Sequence, residues 1–303
     1  MFGARQVPIL LLLLALATQS TLGMPQPPQF VKVDDMMLTA QQVPKSLWAE
    51  FGIKEVPVVG ESPGLKNEIS HWPEGVLNYE LSSAVSSEHK ALIRRTLTQL
   101  ETKLDSCIKF REVNAGFRVI VVDNNDCSSA AGYGGQNGGS SSQELSLSAN
   151  GCMSPSTIEH EFLHAIGVFH TQQRTDRDRY IKINWDNIMD GFAFAFSKLS
   201  ETKVDEFDLP YDFDSVMHYE QFAYSKNRVR TIETLDPSKQ EIIGKAKGVS
   251  DGDIMLVKRM YKCSSRSPIV PTTPTPGRSP APGFTWGGGV SSQFPKHKTK
   301  KSL

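Results

Sequence analysis

An eleven-residue stretch, HEFLHAIGVFH, constrains this chain more than any other part of its sequence. Its first two histidines, His160 and His164, are four residues apart, so on a helix they lie one turn above each other and can bind one metal ion. Glu161 lies one step round that helix, where its carboxylate can face a water molecule without becoming a metal ligand. The spacing predicts a site for metal-assisted hydrolysis.

Gly167 and His170 complete the pattern. Glycine tolerates the left-handed conformation that ends many helices, so the chain can turn at Gly167 and bring His170 back to the same ion. Three neutral imidazoles leave Zn²⁺ with its full charge and an open position, which lowers the pKa of water to about 7 and polarises a carbonyl. We therefore expect one Zn²⁺ and hydrolysis of an amide or ester, with Glu161 as general base. A lone histidine would instead be interpreted as a buried residue of the core and not as a metal ligand.

Residues 1–23 have the layout of a secretory signal peptide. Arg5 precedes an apolar run from Ile9 to Ala17, which polar residues and the small Gly23 follow. The run is too short to span a bilayer, and no other segment approaches that length. We expect a secreted, extracellular protein without a transmembrane segment.

Four cysteines in a secreted chain predict two disulfides, because an oxidising compartment preserves them. The sequence alone permits three connectivities, and free buried thiols remain a weaker alternative. A zinc-thiolate cluster is weaker still, because no C-x-x-C pair occurs. The cysteines are Cys107, Cys127, Cys152 and Cys263.

Composition divides the rest of the chain into three parts. Residues 24–66 contain several prolines and no cysteine, and are too short for a core of their own, so we interpret them as a pro-segment. Residues 67–263 carry the cysteines and the histidine motif. Residues 264–303 form a basic tail rich in Pro, Ser and Thr that we expect to be disordered. The chain has 33 basic and 33 acidic residues, so its net charge gives no reason to expect a nucleic-acid partner.

Local patterns predict several elements of the domain. Residues 88–104 should form a helix, because apolar side chains recur on one face. The segments GVLNYEL and FRVIVVD are predicted as strands from their β-branched and aromatic content. The alternating ELSLS suggests an edge strand. The apolar positions of the predicted helix are Ile93, Leu97, Leu100 and Leu104.

A second motif, YDFDSVMHY, carries a family resemblance. Together with the histidine motif it resembles the metzincin clan, with Met217 as the methionine of the turn beneath the zinc. Within that clan the S-x-M-H-Y pattern resembles the astacin family of zinc metalloendopeptidases. The resemblance extends over residues 67–263 and includes WPEGVLNYEL, RTDRDRYIKINWDNI and GVSDGDIMLVKRMYKC. It implies that Tyr219 is a further zinc ligand that can swing away to stabilise an oxyanion.

The resemblance also implies a fold and a disulfide pairing. The fold would be α+β and two-lobed, with a twisted, mixed, mostly parallel sheet and two long helices in the N-terminal lobe, and an irregular C-terminal lobe. Protein or peptide substrates would lie extended along the edge strand. The bridges would be Cys107 with Cys263 and Cys127 with Cys152.

The sequence departs from the family pattern in two places. Most astacins follow the third histidine with a glutamate that binds the new N-terminus of the activated enzyme, but this chain has the uncharged Thr171. Family pro-segments inhibit through the aspartate of an F-x-G-D motif, and the nearest match, VVGES, offers Glu61. We take Glu61 as the inhibitory ligand of a zymogen, although a surface glutamate is an alternative, and cleavage after Lys66 would activate it.

Two functions from different classes fit these observations. The first is a zinc-dependent endopeptidase made as a zymogen. The alternative is a non-catalytic secreted zinc-binding protein that retains the protease fold, for which Thr171 is the only motivation. The presence of Glu161 favours the enzyme, because a binding protein has no need of a general base. Lys245 could favour acidic substrates, and the oligomeric state is left open.

Overall fold

The computed structural model describes residues 30–39, 71–135, 141–199 and 204–263. The predicted signal peptide, Glu61 and the predicted tail lie outside these ranges. Within them, every helix is too short or too polar to cross a bilayer. The strands are β1 (Phe30–Val33), β2 (Met36–Thr39), β3 (Val76–Leu81), β4 (Lys109–Glu112), β5 (Arg118–Val122), β6 (Cys127–Ala130), β7 (Ser142–Leu147), β8 (Ile181–Ile183) and β9 (Ile232–Thr234), and the α-helices are α1 (Ser87–Lys103), α2 (Pro155–Ala165) and α3 (Asp251–Met260).

Helix α1 forms where the apolar spacing predicts it. The Ser86 hydroxyl accepts a hydrogen bond from the backbone N–H of His89, which satisfies one of the free donors at the start of the helix. Ile93, Leu97 and Leu100 are at most 2% exposed. The predicted apolar face is therefore confirmed.

The main sheet has seven strands in the order β1-β2-β6-β7-β5-β3-β4. The pairs β3–β4, β3–β5, β5–β7 and β2–β6 are parallel, whereas β1–β2 and β6–β7 are antiparallel. The mixed, mostly parallel sheet is thus confirmed. The prediction that ELSLS lies at the edge is wrong, because β7 lies between β5 and β6. Ser146 is buried there because its hydroxyl donates to the Asp126 carbonyl, so a polar residue in the alternation need not face water.

Two hydrophobic clusters give the domain its two lobes. The upper core lies where α1, α2 and α3 pack with the strands of the main sheet, and the lower core surrounds β8 and β9. Helix α3 comes late in the chain yet joins the upper core. Members of the upper core include Leu77, Ile93, Val119, Leu145, Phe162 and Val257, and members of the lower core include Ile181, Ile183, Phe196, Tyr211 and Ile232.

Helix α2 is fixed at both of its ends. Its first turn is capped by the Ser154 hydroxyl, which accepts from the Thr157 N–H, and Pro155 stands at the first helical position. At the other end, the indole N–H of Trp72 donates to the Ala165 carbonyl at 2.8 Å. These contacts hold the helix that carries the histidine motif against the sheet.

Two disulfides tie distant parts of the domain together. The cleft bridge joins Cys127 at the start of β6 to Cys152 just before α2. The terminal bridge joins Cys107, after α1, to Cys263, after α3. The connectivity is the one that the family resemblance implies.

The first described segment is a hairpin from the predicted pro-segment. Val33 pairs with Met36, so Asp34 and Asp35 form a two-residue turn, and Asp34 adopts a left-handed φ of 61°. Strand β2 adds to β6 in parallel, through hydrogen bonds that include one of 2.7 Å from the Ser129 N–H to the Asp35 carbonyl. The hairpin thus covers the edge that β6 would otherwise expose.

Candidate metal centre

The histidine motif folds as its spacing predicts. His160 and His164 follow each other on one face of α2, and Gly167 takes a left-handed φ of 105° directly after the helix. The Val168 N–H donates to the Leu163 carbonyl, closing the turn. The chain then brings His170 back towards the helix.

The three imidazoles converge through their Nε2 atoms. His164 Nε2 lies 3.1 Å from His160 Nε2 and 3.2 Å from His170 Nε2. His160 Nδ1 lies 2.8 Å from the Val216 carbonyl oxygen and His164 Nδ1 lies 2.7 Å from that of Val168. Because a carbonyl only accepts, the Nδ1 atoms of His160 and His164 carry the proton, and the Nε2 atoms of these two rings present lone pairs.

Converging lone pairs require a positive charge between them, and the geometry fits zinc. Zn–N bonds of about 2.05 Å in a tetrahedron separate two nitrogens by about 3.3 Å, close to the distances observed. Burial lowers the pKa of His164 to about 4. The ring is therefore neutral at pH 7, which is the form that binds metals.

Asp35, at the tip of the hairpin, contributes a fourth group. Its Oδ2 lies 3.0 Å from His160 Nε2, and its Oδ1 lies 3.0 Å from His170 Nε2. The four ligand atoms, including that of His164, all lie within 4.8 Å of one another. The described residues therefore bring three imidazoles and one carboxylate together, a set that can hold one metal ion.

Asp35 was not predicted as a ligand from the sequence. Two short, mostly apolar runs, FVKV and MMLT, flank the Asp34–Asp35 pair, which is a pattern for a two-residue hairpin with both acids at its tip. Glu61, the inhibitory ligand that the sequence suggested, lies outside the described residues and stays a prediction.

Glu161 is buried beside the histidines. Its side chain is 1% exposed, and its Oε2 has no hydrogen-bond partner among the described residues. Burial, with added repulsion from Asp35 and Asp126, raises the pKa of Glu161 well above its ordinary value. A desolvated carboxylate with an unpaired oxygen can take up a proton, as a general base must.

Tyr219 packs against the third histidine. The centres of the Tyr219 and His170 rings are 4.6 Å apart, and the Tyr219 hydroxyl is buried without a partner in the described part of the chain. The side-chain oxygen of Gln172 accepts from the backbone N–H of Tyr219 at 3.1 Å. Gln172 thus helps to position the tyrosine, a role that no sequence pattern indicated.

The predicted turn methionine, Met217, lies 1% exposed in the upper core. Its carbonyl accepts from the Thr171 N–H at 3.0 Å, which links the turn to the end of the histidine motif. The Thr171 hydroxyl donates to Ser215 at 2.9 Å, and the Ser215 hydroxyl donates to Asp253 at 2.6 Å. Hydroxyls therefore stand where the family pattern has a charged glutamate.

Lys245, which we considered for substrate selection, pairs with Glu241 at 2.7 Å, and both side chains are exposed. The negative charge of Glu241 therefore partly offsets the positive charge of Lys245.

A helix with two histidines and a glutamate, a glycine turn and a returning third histidine together define a metal-dependent hydrolase of the metzincin type. Comparison with known proteins agrees with this class. Residues 64–262 match the sequence profile of the peptidase family described as Astacin. The chain belongs to the astacin family.

Several curated proteins are similar to the chain. Zinc metalloproteinase nas-6 of Caenorhabditis elegans is 35% identical over 209 residues, 67% of this chain and 57% of nas-6. Low choriolytic enzyme of Oryzias latipes is 34% identical over 63% of this chain and 69% of its own length. The first three relatives are matched over only 57%, 38% and 41% of their lengths.

Among solved structures, high choriolytic enzyme 1, a hatching enzyme zinc-protease of Oryzias latipes, superposes with a TM-score of 0.58. It is 34% identical, and the match covers 65% of this chain and 96% of that chain. The expected fold class is thereby confirmed.

Proposed function

We propose that the protein is a secreted zinc endopeptidase that is made as a zymogen. The observation that carries the catalytic part is the convergence of three imidazole Nε2 atoms beside the unpaired Oε2 of Glu161. Relatives named zinc metalloproteinases and a similar hatching enzyme zinc-protease support the choice of metal and reaction.

His160, His164 and His170 would hold the metal. Zinc bound there would polarise the scissile carbonyl and lower the pKa of a water molecule. Glu161 takes a proton from the attacking water and passes it to the leaving amine. The Tyr219 hydroxyl, which has no other partner among the described residues, donates to the oxygen that becomes negative.

Cleavage of casein by trypsin-activated protein tests this function. We expect zinc-dependent cleavage by the wild type, and a fall of at least about 10²-fold in Glu161→Ala, because loss of a general base typically costs about 10² to 10⁴-fold. Glu144→Gln, which neutralises an exposed carboxylate on β7, is the control and should match the wild type. Equal background cleavage by all three, with zinc bound, would favour the non-catalytic binding protein.

We propose that Asp35 keeps the precursor latent, the role that the sequence suggested for Glu61. Its carboxylate lies 3.0 Å from two of the ligand nitrogens, and its hairpin covers the β6 edge along which a peptide could add. A carboxylate at the metal competes with water for the open position.

Two precursors distinguish the two carboxylates. Asp35→Ala should cleave casein without trypsin treatment, whereas Glu61→Ala should remain as latent as the wild type. Release of latency by Glu61→Ala alone would restore the sequence-based prediction and refute the role of Asp35. Zinc content is measured for each precursor, so that loss of metal is not mistaken for latency.

Secretion rests on the apolar segment within residues 1–23 and on the two disulfides, which persist in oxidising compartments. Expression in a secretory cell should release the protein into the medium without those residues. Retention of the full N-terminus inside the cell, seen by N-terminal sequencing, would contradict this.

A further inference from the structure

A second charge pair links the hairpin to the edge of the cleft. Lys32, on β1, donates a hydrogen bond to Asp126 Oδ2. Asp126 directly precedes β6, the strand to which the hairpin adds. The pair therefore lies at the start of the β6 edge, where a substrate could add once the hairpin has left.

The backbone at Asp126 is firmly held. Its carbonyl accepts from the Ser148 N–H and from the Ser146 hydroxyl, each at 2.9 Å. The next residue, Cys127, forms the cleft bridge. The carboxylate is also oriented, because its Oδ2 accepts from the Ser128 hydroxyl at 3.0 Å. Asp126 is thus a fixed negative group and not a mobile surface side chain.

The ion pair between Lys32 and Asp126 depends on the hairpin. When the hairpin departs, Lys32 departs with it, because Lys32 lies on β1, the first strand of the hairpin. Asp126 then loses the basic partner that it has among the described residues.

We propose that Asp126 forms a subsite for a basic side chain of the substrate, and that Lys32 fills this subsite in the precursor. The proposal rests on the proposed protease function. A substrate lysine or arginine that adds beside β6 replaces Lys32 at the same carboxylate. The subsite thus has a substrate preference opposite in sign to the one considered for Lys245.

The size of the preference follows from exposure. The side chains of Lys32 and Asp126 are 47% and 38% exposed, so water screens their attraction. An exposed ion pair typically changes an equilibrium constant for folding or binding by about two- to fivefold. We expect the same range in kcat/KM between a lysine and a neutral residue at the selected position.

The test uses trypsin-activated full-length protein and short peptides with one fixed scissile bond. A single lysine is moved through the positions on both sides of that bond, and each peptide has a twin with glutamine. The measured quantity is the lysine-to-glutamine ratio of kcat/KM within one enzyme, so any general loss of activity cancels. Asp126→Asn keeps the size of the side chain and removes its charge, and Glu144→Gln is the control.

At one position we expect a ratio of about two to five for the wild type and for Glu144→Gln, and a ratio near one for Asp126→Asn. Raising the salt from about 0.05 M to 1 M should also bring the wild-type ratio towards one. A wild-type ratio near one at every position overturns the subsite even if Asp126→Asn does not fold, and so does a preference that survives in Asp126→Asn. Failure of the wild type to cleave any peptide refutes the protease function itself, and the subsite with it.

Discussion

The bond from the Trp72 indole to the Ala165 carbonyl can be tested by two substitutions of graded severity. Trp72 is 2% exposed, with its ring centre 5.8 Å from that of Phe117 and 5.0 Å from that of Tyr133. Trp72→Phe keeps an aromatic ring there and removes the N–H, which leaves a buried carbonyl without its donor. A buried carbonyl without a donor lowers the free energy of unfolding by about 1–3 kcal/mol. Trp72→Ala also opens a cavity, so its total cost is about 3–5 kcal/mol.

The free energy of unfolding is measured in urea, with chelator present and both disulfides intact. Chelation matters because a metal that binds only the folded state adds stability by mass action. For a domain of about 200 residues each kcal/mol shifts Tm by about 2–4 °C, so Trp72→Phe should lower Tm by about 2–12 °C. Trp185→Phe is the control, because Trp185 is 49% exposed, and it should stay within about 0.5 kcal/mol of the wild type.

A Trp72→Phe variant as stable as the wild type and as Trp185→Phe would refute this prediction. The indole hydrogen bond would then contribute nothing, and the end of α2 would be held by ring packing alone.

Three further sets of substitutions test other parts of the structure. A methyl group on Gly244 would clash with the Glu220 backbone at a φ of +70°, whereas one on Gly191, at +83°, meets open space. Gly244→Ala should therefore destabilise the domain by more than about 2 kcal/mol, and Gly191→Ala by about 1 kcal/mol. Equal urea midpoints of unfolding for the two variants would contradict the clash. The terminal bridge closes a loop of 156 residues and the cleft bridge a loop of 25. Loop entropy therefore predicts that replacing the cysteines by serine lowers the free energy of unfolding by about 5 kcal/mol at the terminal bridge and about 3.5 kcal/mol at the cleft bridge. A larger loss at the cleft bridge in unfolding experiments would contradict this prediction. Asp34→Gly relieves a left-handed turn by about 1 kcal/mol, so residual precursor activity on casein should fall about fivefold; a rise would show that the Asp34 carboxyl helps to hold the hairpin.

Local patterns were enough to predict the elements whose structure depends on neighbours in sequence. Helix α1 and strand β5 follow from apolar periodicity and β-branched content. The turn at Gly167 follows from the conformational freedom of glycine. The start of α3 was also predictable, since Ser250 and Asp253 have capping-box spacing, and both of its hydrogen bonds form.

Long-range contacts could not be predicted in the same way. Asp35 and His160 are 125 positions apart, and only the addition of β2 to β6 brings them together. The position of β7 inside the sheet depends on which strands flank it, and alternation along one strand carries no information about its neighbours. The Asp126 subsite depends on the same hairpin and was missed for the same reason.

Each of the two hydrophobic clusters borders the metal centre. His160 and His164 stand on α2, whose apolar face belongs to the upper core, whereas Tyr219, whose ring packs on His170, lies against the lower core. An ion bound by the three histidines would hold His170, and with it the contact to Tyr219, against α2, and so would link two folding units. With metal present the two cores should melt in one cooperative transition, and after chelation the lower core, which has the shorter strands, should melt first. The centre that would cut other proteins would also keep the two halves of its own domain thermally coupled.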